Sequence, residues 1–166
     1  KDFVRVLLKM ICVIPREEAY KPFASGSGYS DKGDFGDYHP DIKEATLLQF
    51  ISGYKGEKDS SGLSPFKPEN NITRAEAVKI ILKALEYRGV IDMSALKEGD
   101  PWYGDYLQAA QNLTPHLKSS KPLKNNFVIT AEEAKNPDKL MNFGELLSMV
   151  QRVLDIYNCF EQDEDN

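Results

Sequence analysis

Three stretches of this chain carry one apolar pattern in one register, and this internal repeat restricts the possible fold more than any other feature. When Glu76 is set on Glu145, Ala77 falls on Leu146, Ile80 on Met149, Ile81 on Val150, Ala84 on Val153 and Leu85 on Leu154. The opening residues fit the same frame with Asp2 on the acid, so that Phe3, Val6, Leu7, Met10 and Ile11 take the five apolar positions. Spacings of i, i+3, i+4, i+7 and i+8 make one broad face of an α-helix. Helices are therefore expected from Asp2 to about Val13, from Ile72 to Tyr87 and from Met141 to Tyr157. Two of them carry a start signal. Thr73 with Glu76, and Asn142 with Glu145, have the spacing of capping boxes, and Met141 can staple onto Leu146. Val4, Leu8, Val78 and Leu82 widen the apolar face in the first two copies, as expected of helices that pack on more than one neighbour.

A shorter element precedes each complete copy. Tyr38–Ile51 and Trp102–Leu113 both place an aromatic four residues before another apolar residue, with alanine three further on (Tyr38, Ile42, Ala45; Trp102, Tyr106, Ala109). Both read as short amphipathic helices. The stretch from Gly53 to Asn71 is rich in Gly, Pro, Ser and Asn and reads as loop. The repeating unit is thus helix, long loop, capped helix, and the fold class is all-α. Residues 1–28 are the last helix of a first repeat plus a linker, 29–95 a second repeat, 96–160 a third, and 161–166 an acidic tail.

Composition removes several classes. With 41% hydrophobic and 28% charged residues the chain has the means to build a core. No stretch approaches the ~18 uninterrupted apolar residues of a membrane span. No basic block suits a nucleic-acid backbone. The net charge of −5 is mostly local, because Glu161, Asp163, Glu164 and Asp165 supply four of the five. The standard hydrolase, nucleotide-binding and zinc-peptidase signatures are absent, and the two histidines, His39 and His116, each adjoin a proline. A non-enzymatic module with no cofactor is expected. Cys12 and Cys159 could form one disulfide or be two small buried hydrophobes. Lysine at position 1, with a helical pattern under way within three residues, suggests a start inside a longer protein, with any signal peptide upstream.

The second repeat resembles the S-layer homology motif. Gly53-Tyr54, Phe66-Lys67-Pro68 and Ile72-Thr73-Arg74-Ala75-Glu76 stand in the order of that family's Gly-Tyr turn, Phe-x-Pro and Thr-Arg-Ala-Glu elements. The third repeat keeps Trp102 near the start of its first helix. It lacks a recognisable Gly-Tyr turn, has Phe143 in place of Arg74, and holds about five more loop residues. The resemblance implies a pseudo-threefold helical bundle on the bacterial cell surface, anchoring an exported protein noncovalently to a secondary cell-wall polysaccharide, often a pyruvylated one. It also implies ligand contacts at Arg74 and at Gly53 and Tyr54 of the turn. Other S-layer or surface proteins are further partners it suggests.

The chemistry of the residues leaves choices open. Arg74 in a first helical turn can offer a bidentate fork to a carboxylate, or be a solvated helix-start residue. Thr73 and Glu76 cap the helix and would shape a site rather than dominate binding. Gly53 suits a turn at positive φ. Trp102 can be a sugar wall or a core aromatic. Asp31, Asp34 and Asp37, with Asp41, form an acidic run that could hold calcium, although not in EF-hand spacing, or simply lead into a helix. A degenerate repeat that has lost glycan binding and acts as a protein–protein scaffold is the alternative function.

Overall fold

The computed structural model describes residues 1–54, 56–119 and 123–158. It is all-α. Besides helices, the described residues hold two isolated antiparallel bridges, Thr73 with Leu140 and Ile91 with Leu117. The helices are α1 (Asp2–Met10), α2 (Glu17–Tyr20), α3 (His39–Leu47), α4 (Arg74–Tyr87), α5 (Gly104–Gln111), α6 (Ala131–Ala134) and α7 (Phe143–Ile156). Short 3-10 segments cover Lys32–Tyr38 and Thr114–His116. Cys159 and the acidic tail 161–166 lie outside the described residues, and Cys12 is not a free thiol.

The chain forms two compact units, 1–9 with 13–70 and 10–12 with 71–166. They are out of phase with the sequence repeat. The first helix and loop of the second repeat pack with α1 of the first, and its capped helix α4 belongs with the third repeat.

In the first unit, Phe3, Val4, Leu7 and Leu8 of α1 are buried together with Ile42 and Ala45 of α3 and Phe50 and Ile51 beyond it. Arg5 joins the two helices. Its Nε donates to Asp41 at 2.7 Å and its guanidinium lies 3.8 Å from the centre of the Tyr38 ring, while the Tyr38 hydroxyl donates to Asp2 at 2.6 Å. Phe23, Tyr29, Phe35 and Phe66 form an aromatic cluster of edge-to-face and tilted pairs with centroids 5.3–6.5 Å apart. Two charged residues of α3 are buried because each is fully paired. Lys43 donates to the carbonyls of Lys21 and Pro22, and Glu44 accepts from the Nε and main-chain N–H of Arg16.

In the second unit, α4 buries Ala77, Val78, Ile81, Leu82, Ala84 and Leu85 and packs on α5, which contributes Tyr106, Leu107, Ala109 and Ala110. Val128, Ile129, Met149 and Val153 complete the core. Arg88 donates to the carbonyls of Ile11 and Cys12.

α1 and α3 end earlier than periodicity predicts, whereas α4 ends at Tyr87 as expected. α1 stops at Met10 because Cys12 adopts φ 49°, allowing the Val13 N–H to reach the Leu8 carbonyl at 2.8 Å. Gln49 at φ 60° ends α3 in the same way, with Phe50 donating to Ala45, and Gly89 at φ 73° does so after α4, with Val90 donating to Leu85. Apolar spacing continues past the ends of α1 and α3, and the backbone reversal overrides it. The expected helix over Tyr38–Ile51 is therefore a 3-10 segment followed by α3, with Pro40 in the first turn of α3. α6 arises inside the expected loop of the third repeat, started by a capping box of Thr130 and Glu133.

Candidate functional site

The residues singled out by sequence fall in both units, Gly53 and Tyr54 in the first, and Thr73, Arg74, Glu76 and Trp102 in the second.

Gly53 is required by close approach. A Cβ there would lie 2.8 Å from the Pro65 carbonyl oxygen and 2.8 Å from Ser64 Cβ. The expected reason, a positive φ, does not hold, because Gly53 is not among the glycines in that region. The tight approach lets the Tyr54 N–H donate to the Pro65 carbonyl at 2.9 Å, fastening the Gly-Tyr turn to the segment before Phe66-Lys67-Pro68. That second turn is held by Asp31, whose two carboxylate oxygens accept from the main-chain N–H of Phe66 at 2.8 Å and of Lys67 at 2.6 Å. Lys67 adopts φ 58°, uncommon for a residue with a Cβ. Its Nζ stands 5.2 Å from the centre of the Tyr54 ring and 2.6 Å from Glu57 Oε2. Lys67 is not among the residues that the sequence motifs single out. The available signal was its place as the middle residue of Phe-Lys-Pro.

The acidic run does not gather into a metal cage. Asp31 is engaged by backbone amides, Asp41 by Arg5, and the Asp37 carbonyl by Arg5. Among the described residues no group of three or more His, Cys, Asp or Glu is placed to hold a metal ion.

Arg74 is only 4% exposed. Its Nη1 donates to the carbonyls of Glu133 (2.7 Å) and Asn136 (3.0 Å), and its Nη2 to Glu145 Oε1 at 2.8 Å. The fork expected to face an external carboxylate thus meets internal acceptors, and the planar guanidinium explains why one side chain reaches all three. Glu145 also accepts from Lys139 Nζ at 2.7 Å and from the Asn142 amide at 3.1 Å. These bonds, that of Lys139 first, hold its carboxyl below the usual glutamate range. Thr73 and Glu76 form the predicted capping box, with the Thr73 N–H donating to Glu76 Oε2 at 2.9 Å and the Glu76 N–H to Thr73 Oγ1 at 3.3 Å.

Trp102 precedes α5 and is 37% exposed. Tyr103 stands edge-on to it at 5.5 Å, and Lys79 Nζ lies 5.1 Å from the Trp102 and Tyr106 ring centres. Lys79 is also paired with Glu98. In the repeat register Lys79 corresponds to Arg5 and Trp102 to Tyr38, so a cation of a repeat's last helix covers the leading aromatic of the next short helix in each unit. A second contact is repeated in the same way. The main-chain nitrogen of Lys1 donates to the Pro68 carbonyl at 3.1 Å in the first unit, and that of Ala75 to the Pro137 carbonyl at 2.9 Å in the second. Pro137 therefore marks the third repeat's counterpart of Phe66-Lys67-Pro68, reduced to Lys135-Asn136-Pro137.

This geometry defines a helical repeat module with two fastened turns, Gly53-Tyr54 and Phe66-Lys67-Pro68. Residues 28–78 match the family model of the S-layer homology domain, a stretch spanning the Gly-Tyr turn, the Phe-x-Pro turn and the Thr-Arg-Ala-Glu helix start. Domains of that family are non-catalytic cell-surface anchoring modules that typically bind cell-wall polysaccharide. No curated protein and no solved structure gives a significant match. Among the described residues no helix is long and apolar enough to cross a membrane.

Proposed function

We propose that this chain anchors the protein carrying it to the bacterial cell wall by noncovalent binding of an anionic, pyruvylated secondary polysaccharide. The observation that carries the reading is the junction of Gly53-Tyr54 with the Phe66-Lys67-Pro68 turn inside the matched segment, which presents an aromatic ring beside a cation. A sugar offers an apolar face to the ring, and a pyruvyl ketal offers a carboxylate to the cation. Gly53 and Tyr54 form the contact surface in this proposal. Thr73, Arg74 and Glu76 fix the start of α4, and Trp102 is a sugar wall of the second unit. The pseudo-threefold packing implied by the resemblance belongs to the same proposal.

Purified wall sacculi test it, before and after chemical removal of the secondary polymer. The wild type should sediment with intact sacculi and stay in solution with stripped ones, and Tyr54→Ala should sediment less. Equal sedimentation with both preparations sinks the proposal.

One observation favours the scaffold reading. Leu140, Phe143 and Leu147 at the start of α7 are 56%, 72% and 50% exposed, an apolar strip that suits a protein partner. A scaffold would ignore the polymer and elute as an oligomer in size-exclusion chromatography with light scattering.

A further inference from the structure

We infer that Lys67 is the anion-reading residue of this module, set in place by Asp31 and held in check by Glu57, an assignment that rests on the polysaccharide-binding reading above. An acidic sugar needs a cation that can reach solvent. Arg74 does not supply one, because its guanidinium is buried on the Glu133 and Asn136 carbonyls and on Glu145. The Lys67 side chain keeps 32% of its surface exposed, and its carboxylate partner Glu57 is itself 55% exposed. A partner so open to water is weakly bound and exchangeable.

The backbone shows that the position is actively maintained. A lysine at φ 58° is strained in a way that glycine or asparagine would relieve. The strain persists because Asp31 accepts from two successive amides, one of them that of Lys67 itself. The result directs the ammonium to 5.2 Å from the Tyr54 ring. Ring and cation together make a surface for a sugar that carries a carboxylate, the ring meeting carbon–hydrogen bonds and the ammonium meeting the charge.

The third repeat lacks the residues that correspond to Asp31 and Lys67. In the register that sets Trp102 on Tyr38, Ala95 stands in place of Asp31, and in the register that sets Pro137 on Pro68, Asn136 stands in place of Lys67. The carbonyl of Asn136 is instead engaged by Arg74.

Two variants separate the side chain from the backbone. Lys67→Gly and Lys67→Asn both tolerate the left-handed conformation, so each should keep the wild-type circular dichroism and melting profile. Each should bind intact sacculi roughly tenfold more weakly or worse, the loss expected when a hydrogen bond to a charged group disappears. Mild acid treatment that removes the ketal from the sacculi should bring the wild type down to the level of Lys67→Gly and leave Lys67→Gly unchanged. If both variants bind intact sacculi as the wild type does, while the wild type still requires the polymer, the Lys67 assignment fails and the polysaccharide reading stands. If acid treatment leaves wild-type binding intact, Lys67 does not read the acidic group and the assignment is overturned. If the wild type sediments equally with stripped sacculi, the underlying reading fails and takes this one with it.

Discussion

A guanidinium with three protein acceptors is a clamp, and Arg74 should behave as one under mutation. Arg74→Ala leaves the Glu133 and Asn136 carbonyls with main-chain donors only, the Asn136 and Lys139 amides, and removes one of the cations on Glu145, so a loss of about 1–3 kcal/mol is expected from urea denaturation, with the slope unchanged. Arg74→Lys should recover little of this, because an ammonium on a flexible stem cannot span the same acceptors. Gly53 is a second sensitive position for a different reason. Gly53→Ala pushes a methyl into the Pro65 carbonyl, and a loss of about 1–3 kcal/mol is expected from the same measurement. Both residues were visible in the sequence as motif members, but their reasons were not. A motif shows that a residue type recurs, and only the three-dimensional neighbours show whether an arginine faces water or carbonyls.

At the scale of elements, helix starts were the most legible features and helix ends the least. Thr73, Asn142 and their glutamates act three residues apart, so their pairing is local and readable. Thr130 and Glu133 carry the same signal, hidden because only a four-residue helix follows it. Thr73→Ala should lower stability by about 1 kcal/mol, measured by thermal or chemical unfolding. Cys12 and Gln49 end their helices in left-handed conformations that their residue types do not advertise, unlike Gly89. Acid should weaken the α6–α7 pairing. Burial pushes the Glu133 carboxyl up, but hydrogen bonds from Arg152 and from the Thr130 amide outweigh it and hold the group below its ordinary value of 4.5. The unfolded chain then binds the proton more readily than the folded one. This contribution is complete above about pH 4.5 and disappears as pH falls through the lowered folded value. Melting temperatures measured from pH 7 down to pH 3 should fall less steeply for Glu133→Gln than for the wild type.

At the scale of the whole molecule, fold class and repetition could be read from periodicity, while the grouping of helices into bodies could not. Periodicity reports which face of a helix is apolar and says nothing about which neighbour covers it. The compact units divide between Asn70 and Asn71, inside the segment that sequence marks as one repeat. A fragment of residues 29–95 keeps α3 but loses Phe3, Val4, Leu7 and Leu8 of α1, and keeps α4 but loses α5. It should give a far-UV circular dichroism spectrum of a largely unfolded chain and no cooperative melt, whereas the intact chain should melt cooperatively. The offset between repeat and packing body also bears on how such arrays lengthen. Copying one repeat in a gene adds the closing half of one folded body and the opening half of the next. The new joints then form within cores rather than between finished modules, and a duplicated segment inherits its partners from the copies on either side.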